Sequence, residues 1–264
     1  SDAYSLGSYY RAYRLLYLVQ TFFSRLKFRK SGINRGKVKA AYPLLKLYYQ
    51  FPGDSVKLTY DRFLQPAVGA TRPNIVVVIC ESFSAYKSSM WGNPLNTTPF
   101  FKGMTENGIF FDQCFTPSYG TARGVWAVLT GIPDVSDAST TTSRNPAAVD
   151  QHSILNDFTG YEKFYFIGGS ASLANIRGLL TDNIQGLHLY EQSDYKAPKI
   201  DVWGISDKNL FLEANQVLNK QTKPFIAIIQ TADNHRPYTI PPEDAQAFHK
   251  IPVSAASLKQ FGFE

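Results

Sequence analysis

NIVVVICESF, residues 74–83, is the stretch from which the fold can be read. It holds five consecutive apolar residues of strong strand preference, Ile75 to Ile79, followed two residues later by a carboxylate, Glu81. A run of that kind reads as a strand buried on both faces, as in a parallel sheet covered by helices. PFIAIIQT (224–231) is a second strongly apolar strand and runs into ADNHRPY. KFYFIGG (163–169) and IFFDQCFT (109–116) complete the expected strands.

Helical patterns fall between them. TTPFFKGMTENG (97–108) has Thr98 as N-cap, Pro99 at the first helical position and a glycine stop. GVWAVLTGI follows SYGTARG (118–124), and HSILNDFTG (152–160), LANIRGLL (173–180) and the capped SDKNLFLEANQVLNK (206–220) supply the rest. Alternating strands and helices predict an α/β class with a mostly parallel central sheet flanked by helices.

The 264 residues are 44% hydrophobic and 18% charged, which suits one large domain plus an appendage. No run reaches the ~18 apolar residues of a membrane span, and the opening SDAYSLGSYY has no signal-peptide pattern. Two cysteines, Cys80 and Cys114, exclude a disulfide framework and a CxxC metal site; both are expected as buried free thiols.

Charge is uneven. Residues 1–60 hold 11 Lys/Arg against 2 Asp/Glu, a net +9, while the remainder is −3. YYRAYRLLYLVQTFFSRLKFRK (9–30) has the spacing of a long amphipathic helix. SGINRG breaks it, VKAAYPLLKLYYQF (38–51) reads as another helix interrupted near Pro43, and residues 51–73 read as a linker. The division expected is therefore 1–72 as a basic, aromatic helical arm and linker, and 73–264 as the main domain. An anionic membrane surface, nucleic acid or solvent alone could face such an arm. No zinc finger, recognition helix or RNA signature supports nucleic acid.

In sheets of this class, ligands gather at the carboxyl ends of strands. Glu81 follows the first strand, His235 follows PFIAIIQT, and Thr121 precedes a helix. Each has an ordinary reading: a salt-bridging carboxylate, a loop histidine, a helix N-cap. Together they form a candidate phosphoryl-transfer site, because a helix start favours an anion and a carboxylate can hold a metal that activates the hydroxyl.

The ordered set ICESFS, TTPFFKGM, SYGTARG, FIGGSASLANIRG, WGISDKNLF and TADNHRPY resembles the lipoteichoic acid synthase family over residues 74–240. These are membrane-anchored phosphoglycerol transferases of the alkaline phosphatase and sulfatase superfamily. The resemblance implies a sulfatase-like catalytic domain over 73–264. It implies Glu81 as ligand of a divalent metal, Mn or Mg, and Thr121 as both metal ligand and nucleophile. It further implies Arg177 as clamp on the phosphate or glycerol and His235 as donor to the phosphoryl group or the leaving alkoxide. Arg123 either faces the anion or is a surface charge; Trp203 receives no role.

The partners implied are a phospholipid headgroup donor, a glycan or polyol-phosphate acceptor, and a membrane surface met by the N-terminal arm. The location implied is the cell membrane, with the domain extracytoplasmic. A phosphodiesterase, a phosphoethanolamine transferase or a non-catalytic binding module are the alternatives.

Two departures from the family pattern bear on the chemistry. The family completes its metal site with a downstream Asp-His pair, and no Asp is followed by His here. Either the C-terminal part of the fold is absent or the site is incomplete, and this piece alone is expected to bind metal weakly or not at all and to be inactive. CFTPS (114–118) has its proline one place late for the sulfatase C/S-x-P-x-R pattern, which argues against a formylglycine route.

Overall fold

The computed structural model describes residues 46–50, 57–61, 71–93, 95–112, 114–116, 118–134, 151–247 and 254–260. The chain divides into two compact units, Ser1–Ala70 and Thr71–Glu264. The expected helix over 9–30 lies outside the described residues. In the first unit, β1 (Lys46–Gln50) pairs antiparallel with β2 (Lys57–Asp61), Tyr48 opposite Thr59. The expected helix over 38–51 and linker over 51–73 are corrected at these strands. KLYYQ and KLTYD are rich in aromatic and strand-favouring residues, and a partner seven positions downstream satisfies the backbone groups that a helix would have satisfied internally.

The second unit is built on a four-stranded parallel sheet of β3 (Ile75–Ile79), β4 (Glu162–Ile167), β5 (Leu187–Tyr190) and β6 (Phe225–Gln230) in the order β3-β6-β4-β5. Val77 pairs with Ile228, Phe164 with Ala227 and Lys163 with Leu187. Among the described residues the helices are α1 (Pro99–Glu106), α2 (Thr121–Thr130), α3 (Ile176–Asn183), α4 (Asp207–Leu218) and α5 (Ala255–Gln260).

Strand period two sorts the core into two layers. Tyr165, Ile226 and Ile228 point to one face, against Val125 and Leu129 of α2 and Leu179 and Leu180 of α3. Phe164, Phe166, Ala227 and Ile229 point to the other, against Leu210, Ala214 and Leu218 of α4. Full burial of each large side chain contributes about 1.5–3 kcal/mol, which makes β4 and β6, buried on both faces, the centre of the unit.

Four expectations are corrected. β3 is an edge strand of the described sheet, and Val76 (50% exposed) and Val78 (40%) face outward rather than under a helix layer. The described residues of IFFDQCFT form no strand, and Ile109, Phe111 and Phe115 are exposed. HSILNDFTG shortens to a 3-10 turn, Ile154–Asp157, capped by the Ser153 hydroxyl, which accepts from Leu155 N–H. Asn156 spends its side chain on Asn183 O and Gln185 N–H, so it anchors a loop instead of extending a helix. Cys80 is half-buried and Cys114 exposed, both free thiols. The edge strand β5 was not anticipated, being four residues long with a histidine within it.

Candidate active site

β3 and β6 run parallel, so their carboxyl ends finish side by side. Thr231, the first residue past β6, links the two exits. Its N–H donates to Ile79 O (3.0 Å), and its hydroxyl accepts from Glu81 N–H (3.2 Å). Glu81 then enters a turn in which Ser82 holds φ 54, a left-handed conformation that a serine adopts at a cost of about 1 kcal/mol or more. That turn directs Glu81 and Ser82 toward the loop after β6.

The turn before α2 shows why Gly120 and Thr121 are adjacent. Gly120 is the N-cap, with φ 83, and caps with no side chain. Thr121 is the first helical residue, not the cap. Its Oγ1 donates instead to Glu81 Oε1 at 3.0 Å, a contact spanning 40 residues of sequence. His235 completes the group: Nε2 lies 3.4 Å from the same Oε1, with side-chain exposures of 26% for His235 and 17% for Glu81. Ser82 Oγ stands 3.3 Å from His235 Nε2. Glu81, Thr121 and His235, selected from the sequence, thus meet on one carboxylate oxygen.

The two arginines each pair with a carboxylate other than Glu81. Arg123 is buried rather than a surface charge; it pairs with Asp134 (Nε to Oδ2 3.7 Å) and lies 4.8 Å from the Tyr119 ring centre. Ser118 Oγ donates to Asp134 O (3.2 Å), so the pair braces the turn that carries Thr121. Arg177 pairs with Glu191, whose other oxygen accepts from Ala171 N–H at 2.8 Å. Burial pushes the Glu191 carboxyl up, but the Arg177 and Ala171 bonds outweigh it and leave the group below its usual range. Ala174 and Asn175, just before α3, have φ 52 and 54 and fix how Arg177 leaves the chain.

Residues that the motifs did not single out also converge here. Tyr165 is fully buried and donates to Gln230 Oε1. Burial first, and the Glu81 carboxylate second, push its hydroxyl pKa up, so the phenol stays a donor. Asp207 and Asp233 clasp each other: Asp207 accepts from Ala232 N–H (2.7 Å) and Asp233 N–H (3.0 Å), and Asp233 accepts from Asp207 N–H (2.9 Å). Burial raises both carboxyls, Asp233 to about 6 with the Asp207 charge as second cause. The position of Asp207 at the start of a capped helix and of Asp233 two residues before His235 was the available signal.

Glu81 and Thr121 offer two hard oxygens 3.0 Å apart, suited in kind to Mg²⁺ or Mn²⁺. Two oxygens each about 2.1 Å from one octahedral ion stand about 3.0 Å apart, so the spacing fits as well. Among the described residues, no group of three or more His, Cys, Asp or Glu stands ready to hold a metal.

A parallel sheet between helices, with a helix-start hydroxyl, a carboxylate and a histidine at its strand exits, defines an alkaline-phosphatase-like α/β domain. The sequence profile of the sulfatase family matches residues 73–256, and the chain belongs to that family. It is 26% identical over 192 residues to a lipoteichoic acid synthase of Staphylococcus saprophyticus, covering 67% of this chain and 28% of that one. The structure resembles an alkaline phosphatase superfamily protein from Vibrio parahaemolyticus with a TM-score of 0.61 and 25% identity, over 73% of this chain and 48% of that one. It resembles the lipoteichoic acid synthase LtaP from Listeria monocytogenes with a TM-score of 0.60 and 20% identity, over the same shares. The likeness to lipoteichoic acid synthases read from the motifs therefore stands. The chain spans 28% of the length of the curated relative and 48% of each solved one. Among the described residues, no helix is long and apolar enough to cross a membrane.

Proposed function

We propose that the Thr71–Glu264 unit carries the nucleophile half of a phosphoglycerol transferase site, in a membrane-anchored protein whose catalytic domain faces away from the cytoplasm. The observation that carries the reading is the Thr121 hydroxyl donating to Glu81 Oε1 at the start of α2, with His235 on the same oxygen. In this reading Thr121 Oγ attacks the phosphorus of a phospholipid headgroup such as phosphatidylglycerol. A P–Oγ bond forms, and the bond from phosphorus to the diacylglycerol oxygen breaks.

The Thr121 proton passes to Glu81 Oε1, and His235 gives a proton to the departing alkoxide. This leaves Glu81 protonated and His235 neutral, 3.4 Å apart, the states in which His235 can take the acceptor hydroxyl's proton and Glu81 can return one to Thr121 Oγ. The first N–H groups of α2 face the phosphate oxygens. A glycan or polyol-phosphate hydroxyl then takes the glycerol phosphate by the reverse sequence. With a divalent ion, Mn or Mg, held by Glu81 and Thr121, Glu81 would no longer act as proton acceptor: the ion would lower the pKa of the hydroxyl, whose proton would leave to water, and neutralise phosphate charge.

Arg177, with its side chain 46% exposed, is the proposed contact for the phosphate or glycerol; its fork suits phosphate geometry. Arg123, bound to Asp134, serves the same site by holding the Thr121 turn. Residues 1–72 are proposed to lie as a basic, aromatic arm against anionic lipid headgroups.

The test is Thr121→Ala in the complete protein with vesicles containing phosphatidylglycerol. Diacylglycerol release is expected to fall to background, with thermal stability within about 1 kcal/mol, because one half-exposed hydrogen bond is lost. Retained turnover refutes the covalent route. Vesicles carrying phosphatidylethanolamine separate the phosphoethanolamine alternative, which the two free cysteines disfavour, since that class is expected to hold disulfides. The scarcity of metal donors among the described residues favours a second reading, a binding module that retains lipid headgroups without turnover.

A further inference from the structure

We infer that Trp203 is a positioning residue that fixes the imidazole plane of His235. This rests on the proposed role of His235 as proton donor and extends it to a neighbour with no assigned part.

The two rings are stacked, with centroids 4.3 Å apart and planes inclined by 21°. Trp203 is itself held through both its ring and its backbone. Its Nε1–H donates to Arg236 O at 2.7 Å, the carbonyl next along the chain from His235. Its backbone N–H donates to Asp201 Oδ1 at 2.8 Å. The segment 201–204 closes on itself through a bridge between Asp201 and Gly204 and is pressed against the end of β4, where Ile205 N–H donates to Gly168 O at 3.1 Å.

That approach uses the absence of side chains. A Cβ on Gly204, which holds φ +117, would stand 2.0 Å from Gly168 O, and one on Gly169 would stand 2.4 Å from Trp203 O. Backbone meets backbone there, and the indole is set over the histidine as a consequence. The opposite constraint on His235 is its edge contact with Glu81 and Ser82. With one face covered and one edge bonded, the ring cannot turn about its last torsion without giving up the stack. Nε2 is thus kept on the carboxylate oxygen that also receives the Thr121 hydroxyl. An apolar ring does this without adding a charge or a competing hydrogen bond at the imidazole nitrogens.

The test is a double-substitution cycle in the complete protein, read by diacylglycerol release from phosphatidylglycerol vesicles. Trp203→Ala is expected to lower kcat by about 10-fold or more while KM stays within about 2-fold, since a displaced catalytic group costs rate and not donor binding. Trp203→Phe keeps a stacking ring and is expected to recover most of the rate. His235→Ala and the double variant are expected to be indistinguishable, because Trp203 acts through His235 alone. A second readout does not involve turnover. The His235 ring protons, identified by their loss in His235→Ala, are expected upfield under the indole ring current and at ordinary positions in Trp203→Ala.

Wild-type kcat in Trp203→Ala, or a further loss when Trp203→Ala is added to His235→Ala, overturns the inference. So does an unmoved histidine signal. If Thr121→Ala keeps its turnover while the ring-current result holds, the covalent route through Thr121 fails and the positioning of His235 survives.

Discussion

The clasp between Asp207 and Asp233 connects stability to the site, and Asp207→Ala tests it. The substitution removes the acceptor of two N–H groups, Ala232 and Asp233, in the loop that leads to His235. Bonds to a charged acceptor are worth about 1.5–3 kcal/mol each when buried; both donors here are half-buried, so about 1 kcal/mol each is the working figure. The opposing gain is relief of repulsion. Asp233 titrates at about 6 against an ordinary 3.8, with burial the larger cause and the Asp207 charge the next. The whole difference corresponds to about 3 kcal/mol, but Asp233 is partly solvated, so the share due to Asp207 screens down to about 0.5–1 kcal/mol.

The sign follows from proton counting. Between pH 3.8 and about 6 the folded protein holds a proton on the pair that the unfolded chain has released, so stability falls as pH rises through that window. Asp207→Ala flattens this fall. The variant is expected to lose about 2 kcal/mol at low pH, where Asp233 is protonated and only the bonds are missed, and about 1–1.5 kcal/mol at high pH. Denaturant unfolding of wild type and variant at pH 5 and pH 8, followed by near-ultraviolet circular dichroism, reads both numbers. Equal midpoints for the two proteins, or a larger loss at pH 8 than at pH 5, would refute the reasoning.

Two further outcomes are expected. Gly204→Ala brings a methyl group onto Gly168 O at φ +117 and should cost more than about 3 kcal/mol, whereas Gly186→Ala, at φ +68 in open space, should cost about 1–2 kcal/mol; melting temperatures of the pair check the contrast. Tyr165→Phe removes the donor to Gln230 Oε1 in a fully buried position and should cost about 1–3 kcal/mol in denaturant unfolding, with no cavity larger than the lost oxygen.

Much of the molecule was legible in the chain. Runs such as IVVVI and FIAII name their own conformation, because five consecutive apolar residues, most of them β-branched, favour an extended strand. Caps are as local: Ser206 accepts from Asn209 N–H, and α4 begins where the sequence said. The same local rules misread 109–116, where the strand pattern is present and no neighbouring strand is described. They misread 46–50 as well, where helical spacing yields to a partner at 57–61. A strand is completed by another strand, and a single stretch does not contain that information.

Composition and motif order by themselves determined the class, pointed to a carboxylate, a hydroxyl and a histidine as candidates, and showed the uneven charge of residues 1–60. Tertiary structure alone decided what those groups do to one another. It moved the cap from Thr121 to Gly120 and gave the freed hydroxyl to Glu81. It paired Arg123 with Asp134 and Arg177 with Glu191, and laid Trp203 on His235. Each of these contacts joins residues brought near by strand order and close backbone packing. Side-chain chemistry can be read along a chain, but distance between its parts exists only after the chain has folded.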